Sequence, residues 1–138
     1  HGLIHARTLD LPVDSKGLVG EDELYAPDES DVRLLQAAQA KSESPLHFSI
    51  RFHLHPEVTA NLEPDSASVS LTLATGDIWV FRCQPGVELA LDDSVYFEDG
   101  RHFPRPSQQI VLTGVIKEIT TRVRWSLAKA SENPQKAS

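Results

Sequence analysis

Residues 47–55 read His47-Phe48-Ser49-Ile50-Arg51-Phe52-His53-Leu54-His55. Apolar Phe48, Ile50, Phe52 and Leu54 alternate with polar His47, Ser49, Arg51, His53 and His55. That period of two belongs to a strand with one face on a core and the other in water. Pro56 ends it, because proline has no N–H to give to a sheet. The same alternation recurs on both sides. Val58 to Leu62 follows, then Ser66 to Leu73 with Val69, Leu71 and Leu73 on one face. Thr75-Gly76-Asp77 makes a tight turn into Ile78 to Cys83, so these two runs are expected to form a hairpin. Pro85-Gly86 is a further turn. Val87 to Leu91 and Ser94 to Phe97 read as two short strands around Asp92-Asp93, and Glu98 to Ser107 as a polar loop. Gln109 to Val115 and Ile119 to Leu127 are expected to form the last pair. In the latter, Val123, Trp125 and Leu127 lie opposite Arg122, Arg124 and Ser126. Toward the N-terminus, Leu3 to Leu11 and Leu18 to Leu24 flank a turn at Pro12 to Gly17. Eight to ten short strands at close spacing predict an all-β, antiparallel β-sandwich over residues 1–128.

One segment breaks the pattern. Between Ala26 and Ser44 the composition shifts, and Asp31 to Lys41 is the only good helical stretch, with Ser30 as a candidate cap. It reads as an inserted loop, residues 26–44, with a short or fraying helix. The polar tail, residues 129–138, is expected to be disordered.

Composition excludes several classes. Among 138 residues, 20 are acidic and 13 basic, a net charge of -7 with histidine neutral. Such a surface repels polyanions at long range, which disfavours nucleic acid as a partner. Cys83 is the only cysteine, so no intrachain disulfide and no cysteine-based zinc site can form. It reads as a small apolar strand residue. No apolar run approaches the roughly 18 residues of a membrane span, and no secretory signal opens the chain. The sequence starts at His1 and holds no Met. The expectation is a piece of a longer polypeptide.

Arg51, His53 and His55 are the main candidates for chemistry or contact. Their side chains share the polar strand face, about 7 Å apart per step. Two imidazoles on one face can ligate a divalent metal, supply an acid and a base near neutral pH, or contact a substrate or partner. The cupin metal motif also has His-x-His on a strand, but it needs a Glu soon after the second His. Thr59 and Ala60 stand there, so the match fails. His102, in Arg101-His102-Phe103-Pro104-Arg105, marks a small basic loop. Trp79 and Trp125 alternate with apolar neighbours and read as core. The acidic triplet Glu21-Asp22-Glu23 reads as solvated carboxylates beside a turn, and Tyr96 as structural. No nucleophile elbow, phosphate loop, His-Glu-x-x-His or calcium loop is present.

An ordered series of motifs resembles the C-terminal end of bacterial heparinase II/III-like proteins. It runs Phe52-His53-Leu54-His55-Pro56-Glu57-Val58, Leu71-x-Leu73, Gly76-x-x-Trp79-x-Phe81, Asp93-Ser94-Val95-Tyr96-Phe97, Gln109-Ile110-Val111-Leu112-x-Gly114 and Val123-x-Trp125-x-Leu127. The N-terminal Gly2-Leu3-Ile4-His5-Ala6-Arg7 and Leu18-x-Gly20-Glu21-Asp22 fit the same pattern. The resemblance spans nearly the whole chain except residues 26–44 and the tail. It implies a parent with an α/α-toroid followed by a large β-sandwich, of which this chain is the distal part. It implies a periplasmic or cell-envelope polysaccharide lyase that cleaves uronate-containing, acidic polysaccharide by β-elimination, usually with a Tyr and a His moving the protons. The family's catalytic residues, and the ligands of any divalent metal, would precede His1. No catalytic or metal position is therefore assigned here, and no cofactor is expected in this chain. The fragment alone is expected to be inactive, with Arg51, His53 and His55 touching substrate or the toroid. The rival expectation is a non-catalytic glycan-binding or structural module. An incomplete sandwich would expose edge strands, which favours self-association or a partner chain.

Overall fold

The computed structural model describes residues 3–10, 16–41, 46–97, 104–116 and 120–130. The expected turn at Pro12 to Gly17 falls mostly outside the described residues, as do the His102 loop and nearly all of the tail. Nine strands and one helix are formed among the described residues: β1 (Ile4–Asp10), β2 (Gly17–Tyr25), α1 (Glu29–Lys41), β3 (Leu46–His53), β4 (Thr59–Leu62), β5 (Ser68–Thr72), β6 (Ile78–Cys83), β7 (Glu88–Tyr96), β8 (Arg105–Ile116) and β9 (Thr120–Lys129). They build a six-stranded sheet, ordered β1-β2-β9-β6-β5-β4, and a three-stranded sheet, ordered β3-β8-β7. Every pairing is antiparallel. The all-β sandwich read from the alternation is the observed fold.

The period-two faces close on one core. Phe48 and Ile50 of β3, Leu89 of β7 and Ile110 and Leu112 of β8 meet Val69, Leu71, Phe81, Val123 and Trp125 from the large sheet. Both tryptophans join it, with Trp125 buried and Trp79 packed against the edge of the core. The β5–β6 hairpin forms as expected, and Gly76 takes a positive φ of 91° in its turn. That left-handed conformation favours glycine.

Two glycines are seats for aromatic rings. Gly20 of β2 lies opposite Trp125 of β9, and a Cβ there would come within 2.2 Å of the indole. Gly114 of β8 lies opposite Phe48 of β3, and a Cβ there would meet the phenyl ring at 2.5 Å. Each sheet thus seats one large ring against a strand position that has no side chain.

Four expectations are corrected. First, Gln109 to Val115 and Ile119 to Leu127 are not partners. β8 pairs with β3 and β7, whereas β9 pairs with β2 and β6, so the chain crosses between sheets after Ile116. Second, Asp92-Asp93 does not divide two strands. β7 runs unbroken, because both carboxylates are exposed at its rim while its backbone pairs with Gln108 and Gln109. The same pairing makes Arg105 to Ser107 strand rather than loop. Third, the helix expected in the inserted segment forms, but its cap is not the expected one. Its cap is Asp28 rather than Ser30: Asp28 Oδ1 accepts from the Asp31 N–H at 3.0 Å and the Ser30 hydroxyl at 2.7 Å. These bonds hold the Asp28 carboxyl below its usual pKa, the Ser30 hydroxyl contributing most. Leu35 is fully buried in the core, so the helix is fastened by packing.

Fourth, Glu21-Asp22-Glu23 is not a solvated turn cluster. It sits inside β2, and alternation sends Glu21 and Glu23 outward and Asp22 inward. Asp22 is fully buried. Arg7 of β1, directly opposite in register, donates to it from Nε at 2.7 Å and Nη2 at 2.8 Å. His5 Nε2 lies 3.4 Å from the same carboxylate. The bonds to Asp22 raise the Arg7 pKa above its usual value. The guanidinium also lies 4.5 Å from the Phe52 ring centroid and 5.8 Å from that of Trp125. On the outer face, Arg124 Nε bonds Glu21 at 2.9 Å and Arg122 Nε bonds Glu23 at 3.1 Å.

Gly20→Ala and Gly114→Ala should each lower stability by about 1–3 kcal/mol through overpacking, read as a shift in the urea midpoint. Asp22→Ala, which strands the Arg7 guanidinium against the aromatic rings, should cost about 1–3 kcal/mol in the same measurement. The Asp28 cap has a lowered carboxyl pKa. Its support for α1 should be complete above the unfolded-state pKa and disappear as pH falls through the folded value. Helical circular dichroism of wild type against Asp28→Ala across that acid range checks the sign.

Candidate functional site

Arg51, His53 and His55 are all exposed and all lie on the outer face of the small sheet, opposite the core. β3 ends at His53, two residues earlier than the alternation suggests. Leu54 still donates its N–H to Gln108 O at 2.9 Å, and the Val58 N–H bonds His55 O at 3.0 Å, so His55 opens the turn that contains Pro56.

Each of the three reaches across the central strand β8 to a residue of β7. Arg51 Nη1 lies 3.6 Å from Asp92 Oδ2. His53 Nδ1 shares a hydrogen bond with Ser94 Oγ at 2.9 Å. The rings of His55 and Tyr96 stand 4.8 Å apart, tilted at 59°. The spacing is regular: 51, 53, 55 on one side meet 92, 94, 96 on the other. The result is a diagonal ladder of three rungs. β3 and β7 are two strand spacings apart, about 9.6 Å, so only long or paired polar side chains can close the gap. The outward residues of β8 lie between the two sides of the ladder. Val111, which pairs with both Arg51 and Ala90 in register, is only 5% exposed although it faces away from the core. Gln109 Nε2 donates to Asp93 O at 2.9 Å.

The Glu57 N–H donates to His55 Nδ1 at 3.1 Å. In the neutral ring this places the proton on Nε2, which becomes a donor. Asp92, Ser94, Tyr96 and Gln109 were not among the expected site residues. The signal was present, since 92, 94 and 96 alternate on one face, but dividing β7 at Asp92-Asp93 hid it. Tyr96 is the ring partner of His55.

The ladder is open and polar. Among the described residues no group of three or more His, Cys, Asp or Glu is arranged to hold a metal ion, and His53 and His55 are directed at Ser94 and Tyr96. Cys83 lies on β6, away from the ladder, half-buried and close to Val87 O. Burial pushes its thiol pKa up, the opposite of an activated nucleophile. No helix among the described residues is long and apolar enough to cross a membrane.

The ring seats, the sandwich order and the polar ladder find their context in the comparisons. The model of the heparinase II/III-like C-terminal family matches residues 1–126. The chain belongs to that family. It is also 34% identical over 130 residues to FtsZ-localized protein C of Caulobacter vibrioides, an alignment that covers 94% of this chain and 21% of that protein. The chain thus spans about a fifth of the length of that curated relative.

Arg51→Ala and Asp92→Ala, combined in a double-mutant cycle, should show a coupling below about 1 kcal/mol that fades with salt, since the pair is exposed. Cys83 should react with a disulfide reagent at pH 8 at least about tenfold more slowly in the folded chain than in urea, because its raised pKa and burial both limit the thiolate.

Proposed function

We propose that this chain is the accessory, non-catalytic β-sandwich of a larger heparinase II/III-like protein. The parent is a periplasmic or cell-envelope polysaccharide lyase acting on acidic, uronate-containing polysaccharide by β-elimination. The observation that carries this reading is the family match over residues 1–126. In such a parent, the residues that remove the C5 proton and protonate the leaving oxygen, and the ligands of any divalent metal, lie in sequence outside this chain. The ladder of Arg51, His53 and His55 is then a contact surface, for the glycan or for the α/α-toroid, rather than a centre of proton transfer. Its exposed side chains support contact.

A second reading is supported by the 34% identity to FtsZ-localized protein C. Here the parent works at sites of FtsZ assembly, and the sandwich is a structural or docking module. The two readings separate cleanly in a cell that carries the full-length protein as a fluorescent fusion beside labelled FtsZ.

The full-length parent, supplied with acidic polysaccharides, should form unsaturated uronate with its ultraviolet absorbance, and this chain alone should form none. His53→Ala with His55→Ala should raise KM several-fold while kcat stays, the pattern of lost uniform binding. A parent that releases no unsaturated product from any uronate polymer, yet colocalises with FtsZ, would end the lyase reading and support the second.

A further inference from the structure

The outer face of the six-stranded sheet carries three arginines and two glutamates where β2, β9 and β6 lie side by side. Arg122 and Arg124 pair with Glu23 and Glu21, which leaves the charge of Arg82 over. Arg82 alternates with Phe81 of the core, so it faces outward, and it is exposed. Its guanidinium has no hydrogen-bond or ion-pair partner among the described residues. In a chain of net charge -7, an arginine without a carboxylate is free to take an anion from outside.

Its neighbours supply more donors. Arg82 stands opposite Ser126 in register. Two residues on along each strand stand Gln84 and Arg124, and the Gln84 N–H donates to Arg124 O at 3.0 Å. The four residues form a rectangle about 4.8 Å across the strands and about 7 Å along them, with the two arginines at opposite corners. All four line one open depression of about 220 Å³, with Val19, 52% exposed, as its apolar wall. The Arg124 N–H donates to Gln84 Oε1 at 2.7 Å, so the amide nitrogen of Gln84 is left as a donor. Arg124 bonds Glu21 through Nε at 2.9 Å, which leaves its terminal nitrogens. No carboxylate among the described residues lines this depression. Glu63 and Asp65 share an adjoining one with Arg82 without bonding it.

We propose that this quartet, Arg82, Gln84, Arg124 and Ser126, binds a phosphate monoester. A phosphate ester presents three terminal oxygens and takes hydrogen bonds from several sides at once, whereas a planar carboxylate is satisfied by one guanidinium fork. The two arginines hold the anion from opposite corners, the Ser126 hydroxyl and the Gln84 amide donate between them, and the organic part of the ester lies toward Val19. The site is on the sheet opposite the ladder and uses none of the ladder residues, so it goes beyond the proposed function and stands or falls separately.

Nuclear magnetic resonance titration of the isotope-labelled chain tests it, at low salt where exposed charges are least screened. The ligands are glycerol phosphate, the peptide Gly-phosphoserine-Gly, methyl sulfate and galacturonate. With a phosphate ester, the backbone signals of Gln84 and Ser126 and the Gln84 side-chain amide should shift and saturate. Methyl sulfate and galacturonate, which carry one charge instead of nearly two, should bind at least about tenfold more weakly. Arg82→Gln and Arg124→Gln should each weaken binding about tenfold, the loss of one charged hydrogen-bonding group. Arg33→Gln, the same change of charge on α1, should bind like wild type. Circular dichroism confirms that each variant is folded; if Arg124→Gln is not, Arg82→Gln, which has no partner to lose, carries the test. The proposal is overturned if the phosphate esters give no saturable shift, if methyl sulfate or galacturonate binds as well, if folded Arg82→Gln binds like wild type, or if Arg33→Gln weakens binding equally. Tighter binding of the peptide or of glycerol phosphate supports the site in either case and names the source of the phosphate.

Discussion

The buried carboxylate of Asp22 sets the terms for the rest of the sandwich. A charge with no access to water is tolerated only when it is paired and fully hydrogen-bonded. Arg7 meets that demand with two bonds from the neighbouring strand. Its guanidinium then lies over Phe52, a residue of the opposite sheet. Phe52, Phe81 and Trp125 stand 5.0–5.5 Å apart, ring centre to ring centre, and join the two sheets. The ion pair thereby ties the edge strand β1 to the core, beside the pairing of β2 with β9. Gly20 is part of the same arrangement, because the indole of Trp125 occupies the space above it. A side chain there would lift the ring away from Arg7 and Phe52.

The small sheet answers a different constraint. With only three strands, one face packs on the core and the other is left to water. The ladder sets polar groups on that outer face, where Val111 is also buried. Each rung joins a long side chain from the β3 side, Arg51, His53 or His55, to a residue of β7. The surface so built is polar, and Arg51, His53 and His55 on it are exposed. The family to which the chain belongs includes proteins of much greater length, and the curated relative is nearly five times the aligned span. The chemistry of the whole protein is proposed for that remainder, and contact for the sandwich.

Much of this was legible along the chain. Phe48, Ile50 and Phe52 alternate, and they face the core. Gly76 marks its turn, and Trp79 and Trp125 are core residues, as expected from their apolar neighbours. Arg51, His53 and His55 share a face, as their spacing requires. What they touch was not legible. Asp92-Asp93 looked like a turn because acidic pairs favour turns, yet cross-strand bonds to β8 hold it extended. Glu21-Asp22-Glu23 looked uniform by composition, yet the pleat sends Asp22 to Arg7 and His5 and sends Glu21 and Glu23 to Arg122 and Arg124. Asp22 could be recognised as buried only once Arg7 was placed beside it.

The sequence by itself determined the faces of the strands, the positions of most turns and the family. Those properties depend on a local period and on short motifs, which a chain carries wherever it is. Only the tertiary structure decided which strand lies beside which. β2 and β9 pair across a hundred residues of chain, Glu23 opposite Arg122, while β8 and β9, adjacent in sequence, lie in different sheets. Period-two alternation fixes which way a side chain points but carries no information about the neighbour it meets. That choice is made by the fit of rings over glycines and by the pairing of one buried charge, both of which exist only after distant segments have come together.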